Sequence, residues 1–269
     1  MHARPGSEPR GFVFAATWPY TVAAQRAART LRQAMPSAQV DLFTDQPLQD
    51  DVFDRIHPLT DSFHRPKIEA LRRSRFARTV YLDNDTAVLC DVSELFDLLD
   101  HTEFSACQGW SRAEAYYGSG RLPRAFPMLN SGVIALRASP ATQDLLTRWE
   151  TLMRDTGATY DQGCLREVLF DMGLPFMVLP GEYNVIHLSL LDHWPAEFGA
   201  PRILHVRALH RADPPGDPAT FYRMRELLSR DRAQRLTALI ETDPTWPEGA
   251  PRRGLLRVPG PKGRGRNPS

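Results

Sequence analysis

The sequence predicts an α/β fold, a mixed and mainly parallel sheet flanked by helices in a single domain. Strand-length runs of β-branched and aromatic residues alternate with segments of helical period from Gly11 to Thr242, the pattern of strands crossing over through helices. No internal repeat interrupts it. One run, Thr79-Val80-Tyr81-Leu82, stops abruptly at Asp83-Asn84-Asp85, and the carboxyl ends of strands are where open α/β sheets bind ligands.

The elements follow in order. Residues 1–10 are polar and expected to be flexible. Gly11 to Ala16 reads as a first strand, leading through Thr17-Trp18-Pro19 into an alanine-rich helix from Tyr20 to Met35, with proline near its start. Gln39 to Thr44 is a second strand. A helix from Pro66 to Ser74 precedes the aspartate-bearing strand, and Val92 to Leu99 is a short amphipathic helix. Phe104 to Gln108 is another strand. From Trp110 to Leu129 the chain mixes Gly, Pro, Arg and Tyr without period, and a loop of that length inside a compact domain is usually functional or mobile. Ser131 to Leu136 is a central strand. Ser139-Pro140 supplies an N-cap and first helical residue for a helix reaching Asp155, and a second helix runs from Asp161 to Met172 with Gly173 as its stop. Phe176 to Leu179 and Arg202 to Val206 are late strands, Pro218 to Thr242 a long charged helix, and the Pro, Gly and Arg tail from Glu248 is expected to be disordered. The domain plan is therefore 1–10 flexible, 11–215 the α/β domain, 216–247 helical and 248–269 a basic tail.

Composition narrows the function. A formal net charge of +1 lacks the basic excess of a general nucleic-acid binder. No segment approaches the ~20 apolar residues of a membrane span, and the run from Gly11 to Ala16 is too short for a secretory signal. Cys90, Cys107 and Cys164 cannot all pair and have no metal-ligand spacing, so they read as reduced core thiols in a cytoplasmic protein. Of 33 basic residues only Lys67 and Lys262 are lysines, which singles out Lys67, just ahead of the aspartate strand. Its compact ammonium suits a diphosphate or a sugar hydroxyl, although a surface helix lysine has the same look.

In an extended chain the i, i+2 spacing turns the Asp83 and Asp85 carboxylates to one face. Two like charges there are costly unless a cation meets them, and carboxylate oxygens suit Mg²⁺ or Mn²⁺. A solvated turn is the plainer reading, because Asp and Asn favour turns. Downstream, Asn130-Ser131-Gly132 precedes an apolar strand, where glycine allows close backbone approach to a ligand and the amide can bond hydroxyls. Asp161-Gln162 opens a helix, where Asp is also an ordinary N-cap. His205 ends a strand.

Taken in order, Lys67-Ile68-Glu69-Ala70-Leu71, Asp83-Asn84-Asp85, Asn130-Ser131-Gly132-Val133, Asp161-Gln162-Gly163 and His205 resemble the GT-A fold glycosyltransferases. The likeness is to the glycogenin-like family 8 enzymes and related bacterial nucleotide-diphospho-sugar transferases, over roughly residues 11–211. The resemblance implies a metal held by Asp83, Asp85 and His205. It places Thr17, Tyr20, Lys67, Asp83, Asn84 and Arg211 on the donor nucleotide, with Tyr20 stacking on the base. Asp161, Gln162 and Asn130 fall at the reacting sugar. It further implies retention of anomeric configuration, a UDP-sugar donor and an acceptor not named by the sequence. The family's glycine and lysine, three and six residues after the histidine, are replaced by Ala208 and Arg211, though Arg211 or Arg207 suits phosphate through its fork of donors. His210 is an alternative ligand.

Two competing readings remain. A haloacid-dehalogenase-type phosphatase also ends a strand in Asp-x-Asp, but it wants Thr or Val where Ala87 stands, and it carries the motif on its first strand. A non-catalytic nucleotide-sugar binder or a donor hydrolase would keep the same constellation. The basic tail, with Arg252, Arg253, Arg257, Lys262, Arg264 and Arg266, suits an anionic partner or peripheral membrane contact.

Overall fold

A computed structural model describes residues 6, 8–61, 63–110, 122–211, 216–248 and 250. Its seven-stranded sheet has the order β3-β2-β1-β4-β7-β6-β8. The strands are β1 (Glu8–Ala16), β2 (Val40–Thr44), β3 (Arg55–Pro58), β4 (Phe76–Leu82), β6 (Phe104–Gln108), β7 (Leu129–Arg137) and β8 (Met177–Leu179). β1 to β4 pair in parallel, β7 lies antiparallel to both β4 and β6, and β8 is parallel to β6. β7 is thus the reversed strand of a mostly parallel sheet. A separate antiparallel pair joins β5 (Thr86–Val88) to β9 (Ile203–His205).

The central strands β1, β4 and β7 are largely apolar on both faces because both are covered. In β1, Phe12, Phe14 and Ala16 pack into one core, while Val13 and Ala15 face another. The first core holds α1 (Thr21–Ala34), α3 (Glu94–Asp97) and α7 (Arg230–Thr242). The second holds α2 (Pro66–Arg73), α4 (Pro140–Thr156) and α5 (Asp161–Met172). Sequence punctuation sets several ends. Ser139 Oγ accepts from Thr142 N at 3.2 Å and Thr142 Oγ1 accepts from Ser139 N at 3.0 Å, a reciprocal cap. Gly157 and Gly173 close α4 and α5 at φ of 63° and 60°, a conformation that costs glycine little.

Several elements differ from expectation. β1 begins at Glu8, inside the stretch read as flexible, because Glu8 and Arg10 pair with Phe76 and Arg78 of β4. β3 and β5 were not foreseen. β3 is a four-residue edge strand with exposed ends, and β5 has only three residues, too few for a period to register. The long helix expected from Pro218 to Thr242 is instead α6 (Met224–Leu227) and α7, divided at Leu228 and Ser229, where the Ser229 hydroxyl accepts from Arg232 N. The segment before α6 turns at Asp217–Thr220 and packs on α1: Arg26 donates to Thr220 O and Phe221 O at 3.2 Å, and it pairs with Glu226 of α6 at 2.9 Å. Residues 111–121 of the Trp110–Leu129 loop and 251–269 of the basic tail lie outside the described residues. No helix among the described residues is long and apolar enough to cross a membrane.

After α7, Asp243 accepts from Ala200 N at 2.8 Å and Thr245 N at 2.7 Å and meets Arg202 at 3.0 Å. Burial alone would raise its pKa, yet the Thr245 hydroxyl, donating at 2.7 Å, together with these partners holds it below the ordinary 3.8. Asp243→Ala leaves the buried Arg202 charge without its carboxylate and is expected to cost ~3–5 kcal/mol in urea unfolding at neutral pH. A depressed carboxylate stabilises the fold above its unfolded pKa and loses that contribution as pH falls through the folded one. The wild-type minus Asp243→Asn stability difference should therefore narrow below pH 3.8.

Candidate active site

The site forms where the chain leaves β4. Asp83-Asn84-Asp85 is a turn rather than a strand extension: Thr86 N and Thr86 Oγ1 both donate to Asp83 O, at 3.2 and 2.7 Å. The carboxylates converge through this turn and not through the extended geometry that their spacing first suggests. Two neighbours fix it. Asp83 N donates to Gly132 O at 2.8 Å, continuing the β4–β7 ladder, and Val206 N donates to Asp85 O at 2.7 Å, continuing β5–β9. Because β7 is reversed, its start, Asn130-Ser131-Gly132, lies beside the end of β4. Thr86 pairs with His205, which brings the imidazole to the same place.

Asp83, Asp85 and His205 offer ligand atoms that all lie within 4.8 Å of one another. His205 Nε2 is 3.1 Å from Asp85 Oδ1 and 4.0 Å from Asp83 Oδ2. Asp85 and His205 are buried, while Asp83 is partly open. Burial opposes charge on both buried groups, but their mutual attraction wins, lowering the Asp85 pKa and raising that of His205. Two carboxylates and one imidazole nitrogen are a donor set suited to Mn²⁺ or Mg²⁺, so the residues fit such an ion.

A second cluster adjoins the first. Lys67 Nζ lies 2.9 Å from Asp83 Oδ1 and 3.4 Å from Asp161 Oδ2, and donates to Ser131 O and Oγ at 3.1 Å. Ser131 Oγ donates in turn to Asp161 Oδ2 at 2.8 Å. Asp161 is the first residue of α5 and not its N-cap, which is Tyr160. Burial works against its charge, and Lys67 overcomes this to hold the carboxyl ionised, below its usual range. Trp149 Nε1 donates to Asp161 O at 2.9 Å, fixing the start of α5 from α4. Tyr81, whose pKa burial and the Asp83 charge push well above 10.0, stays neutral and donates to Asp83 Oδ1 at 2.9 Å.

The other expected residues take varied places. Asn130 spends its amide oxygen on Gly132 N and Asn184 Nδ2, at 2.9 and 2.7 Å, leaving its NH₂ for a ligand. Asn84 donates to Ala15 O at 2.9 Å, bracing the turn against β1. Gln162 is half-buried on the first turn of α5. Thr17 O accepts from Tyr20 N at 2.7 Å, and the Tyr20 ring is stacked on His210 with centroids 4.2 Å apart. His210 therefore lies on Tyr20 rather than among the ligand atoms. Arg211 follows the turn Arg207–Leu209, its N–H bonded to Leu209 O at 2.9 Å. Sequence reasoning did not assign Ser131, Tyr81, Trp149 or Asn184. Ser131 sat inside a quoted motif, whereas a lone Asn184 before Val185 carries no signal.

With this geometry in hand, the profile of nucleotide-diphospho-sugar transferases matches residues 65–208, more than half of the chain and the whole stretch from Lys67 to His205. The chain belongs to that family. Among solved structures the chain is similar to the apo form of the glycosyltransferase GlyE of Streptococcus pneumoniae TIGR4, at 19% identity and TM-score 0.57 over 86% of this chain. It spans 60% of the GlyE chain's length. An active-site mutant of LgtC is also similar, at 14% identity and TM-score 0.54, covering 88% of this chain and 98% of LgtC. LgtC has also been solved as a galactosyltransferase with donor and acceptor sugar analogues, 13% identical at the same TM-score. At these identities the likeness establishes the GT-A fold. No curated protein matches by sequence.

Lys67→Met would leave Asp161 buried without its cation, at an expected cost of ~3–5 kcal/mol at pH 8 in EDTA. In that variant burial is opposed only by Arg65, the Ser131 hydroxyl and a backbone hydrogen bond, so the Asp161 pKa rises from its wild-type position and protonation relieves part of the penalty. Urea unfolding should show the deficit shrinking as pH is lowered from 8 to about 5.

Proposed function

We propose that the transferase moves a sugar from a UDP-sugar to an acceptor hydroxyl, using Mn²⁺ or Mg²⁺ held by Asp83, Asp85 and His205. The observation that carries this reading is the convergence of these three side chains beside the Lys67–Asp161 pair, at the carboxyl end of β4. Two carboxylates and a buried histidine would hold the ion, which supplies a positive charge for the donor diphosphate. Lys67, already placed between Asp83 and Asp161, balances charge where the leaving group departs and limits the electrostatic cost of bringing phosphate near carboxylates.

Asp161 serves the sugar side. Kept ionised by Lys67 and fixed by Ser131 and Trp149, its carboxylate has a set direction and stabilises positive charge developing at the anomeric carbon. Gln162, half-buried on the same turn, and the Asn130 NH₂ are the groups available to sugar hydroxyls. Thr17, Tyr20 and Asn84 sit on the base and ribose side, and Arg211 approaches the diphosphate. A carboxylate tied to an ammonium at 3.4 Å is a poor nucleophile. Retention is therefore proposed to proceed through a cation-like centre and not a covalent intermediate on Asp161. Three buried thiols with no disulfide support a reducing, cytoplasmic setting.

Calorimetric titration of UDP, dTDP and GDP with Mn²⁺ and then with EDTA tests the donor. UDP alone is expected to bind, and only with metal. Asp85→Ala should weaken Mn²⁺-dependent UDP binding by at least ~100-fold, the upper end of what losing only an outer-shell partner costs a metal site. UDP affinity unchanged in that variant would remove the metal from the proposal. Donor turnover giving free sugar with every candidate acceptor would favour the hydrolase reading.

A further inference from the structure

His205 can give a cation one nitrogen only, and a buried chain of amides selects which. The backbone N–H of Gly132 can only donate, and it donates to Asn130 Oδ1 at 2.9 Å. That fixes which atom of the Asn130 amide is oxygen. The atom of Asn184 lying 2.7 Å from this oxygen must therefore be its NH₂, which leaves Asn184 Oδ1 facing the imidazole, 2.9 Å from Nδ1. An amide oxygen only accepts, so Nδ1 carries hydrogen. Nε2 is left facing the carboxylates, 3.1 Å from Asp85 Oδ1: it donates to Asp85 while protonated, and it is the nitrogen whose lone pair a cation would take in place of that proton.

The ring is also held sterically. A Cβ at Gly132 would lie 2.6 Å from His205 Nδ1, so the imidazole occupies the space that a side chain would take. Asn130, Asn184 and His205 are all buried, and water offers Nδ1 no easy alternative partner. Asn184 itself is fixed where the chain enters the small sheet: its neighbour Val185 donates to Ile203 O at 3.0 Å and accepts from His205 N at 3.1 Å.

We propose that Asn184 is a positioning residue of the metal centre, relaying the donor character of one backbone N–H through Asn130 to fix the Nδ1–H tautomer of His205. The proposal rests on the metal reading above. Groups that orient a metal-bound histidine through its second nitrogen are typically worth ~10–100-fold in metal affinity.

The test is Mn²⁺ titration of the full chain, with and without excess UDP, following free Mn²⁺ by electron paramagnetic resonance. Nitrogen modulation of the bound ion by spin-echo spectroscopy reports the histidine contact directly. Wild type should bind with a nitrogen signal, and Asn184→Ala should bind ~10–100-fold more weakly with a diminished signal. Asn184→Asp keeps an acceptor opposite Nδ1 but sets an oxygen against Asn130 Oδ1 in place of the NH₂ that donates there, so it should keep the nitrogen signal and lose less affinity than the alanine variant, which also serves should the alanine variant not fold. Asn184→Ala binding Mn²⁺ as wild type does, with the signal intact, would overturn the relay and leave the metal site standing. Equal losses in the Asp and Ala variants would also overturn it, since the acceptor would then not be the operative feature. No Mn²⁺ binding by wild type, with UDP or without, would overturn the metal reading and the relay together.

Discussion

The structure around the site is organised by one electrostatic requirement: Asp83, Asp85 and Asp161 lie close together in a largely buried volume with Lys67 and His205 as the available cationic partners. Carboxylates gathered in low dielectric repel one another and lose hydration. Lys67 answers the cost for Asp83 and Asp161, and His205 answers it for Asp85. Arg65 adds its charge on the Asp161 side, while at Asp83 and Asp85 the groups in contact are one shared ammonium and at most one imidazolium. A divalent cation would meet the remaining negative charge there, and the ligand atoms of Asp83, Asp85 and His205 already lie within 4.8 Å.

Strand direction makes the gathering possible. Parallel β1 and β4 bring their carboxyl ends to one edge of the sheet, and β7, running the other way, brings its amino end there. Asn130, Ser131 and Gly132 thus reach the end of β4, although nearly fifty residues separate them in sequence. The turn after β4 then passes into the small sheet, where pairing of Thr86 with His205 sets the imidazole beside Asp85. A one-residue slip in the β5–β9 register would reverse the face on which His205 lies, so these short strands fix the third ligand atom.

Much was legible in the chain because its signals were local. The alternation of apolar runs and helical periods gave the α/β class, Ser139-Pro140 and Gly173 marked helix ends, and Asp83-Asn84-Asp85 stood out at a strand terminus. Lys67 was conspicuous because arginine fills nearly every other basic position. What escaped notice was short or non-local. β3 and β5 have too few residues for periodicity to accumulate. The break at Leu228 and Ser229 depends on how the preceding segment lies over α1, where Arg26 takes up Thr220 O and Phe221 O.

The sequence by itself determined the fold class, the strand that presents the two aspartates, and the residue types that meet there. These follow from hydrophobic period and the chemistry of side chains, both readable within a few positions. Only the tertiary structure decided how the groups are used. It turned Asp83 and Asp85 together through a tight turn, made Asp161 the partner of Lys67 and Ser131 instead of a cap, and placed His210 on Tyr20. It also brought Asn184 to the imidazole of His205. The physical reason is that a hydrogen bond or ion pair depends on distance and orientation within about an ångström. That precision arises from strand register and packing between segments far apart in the chain.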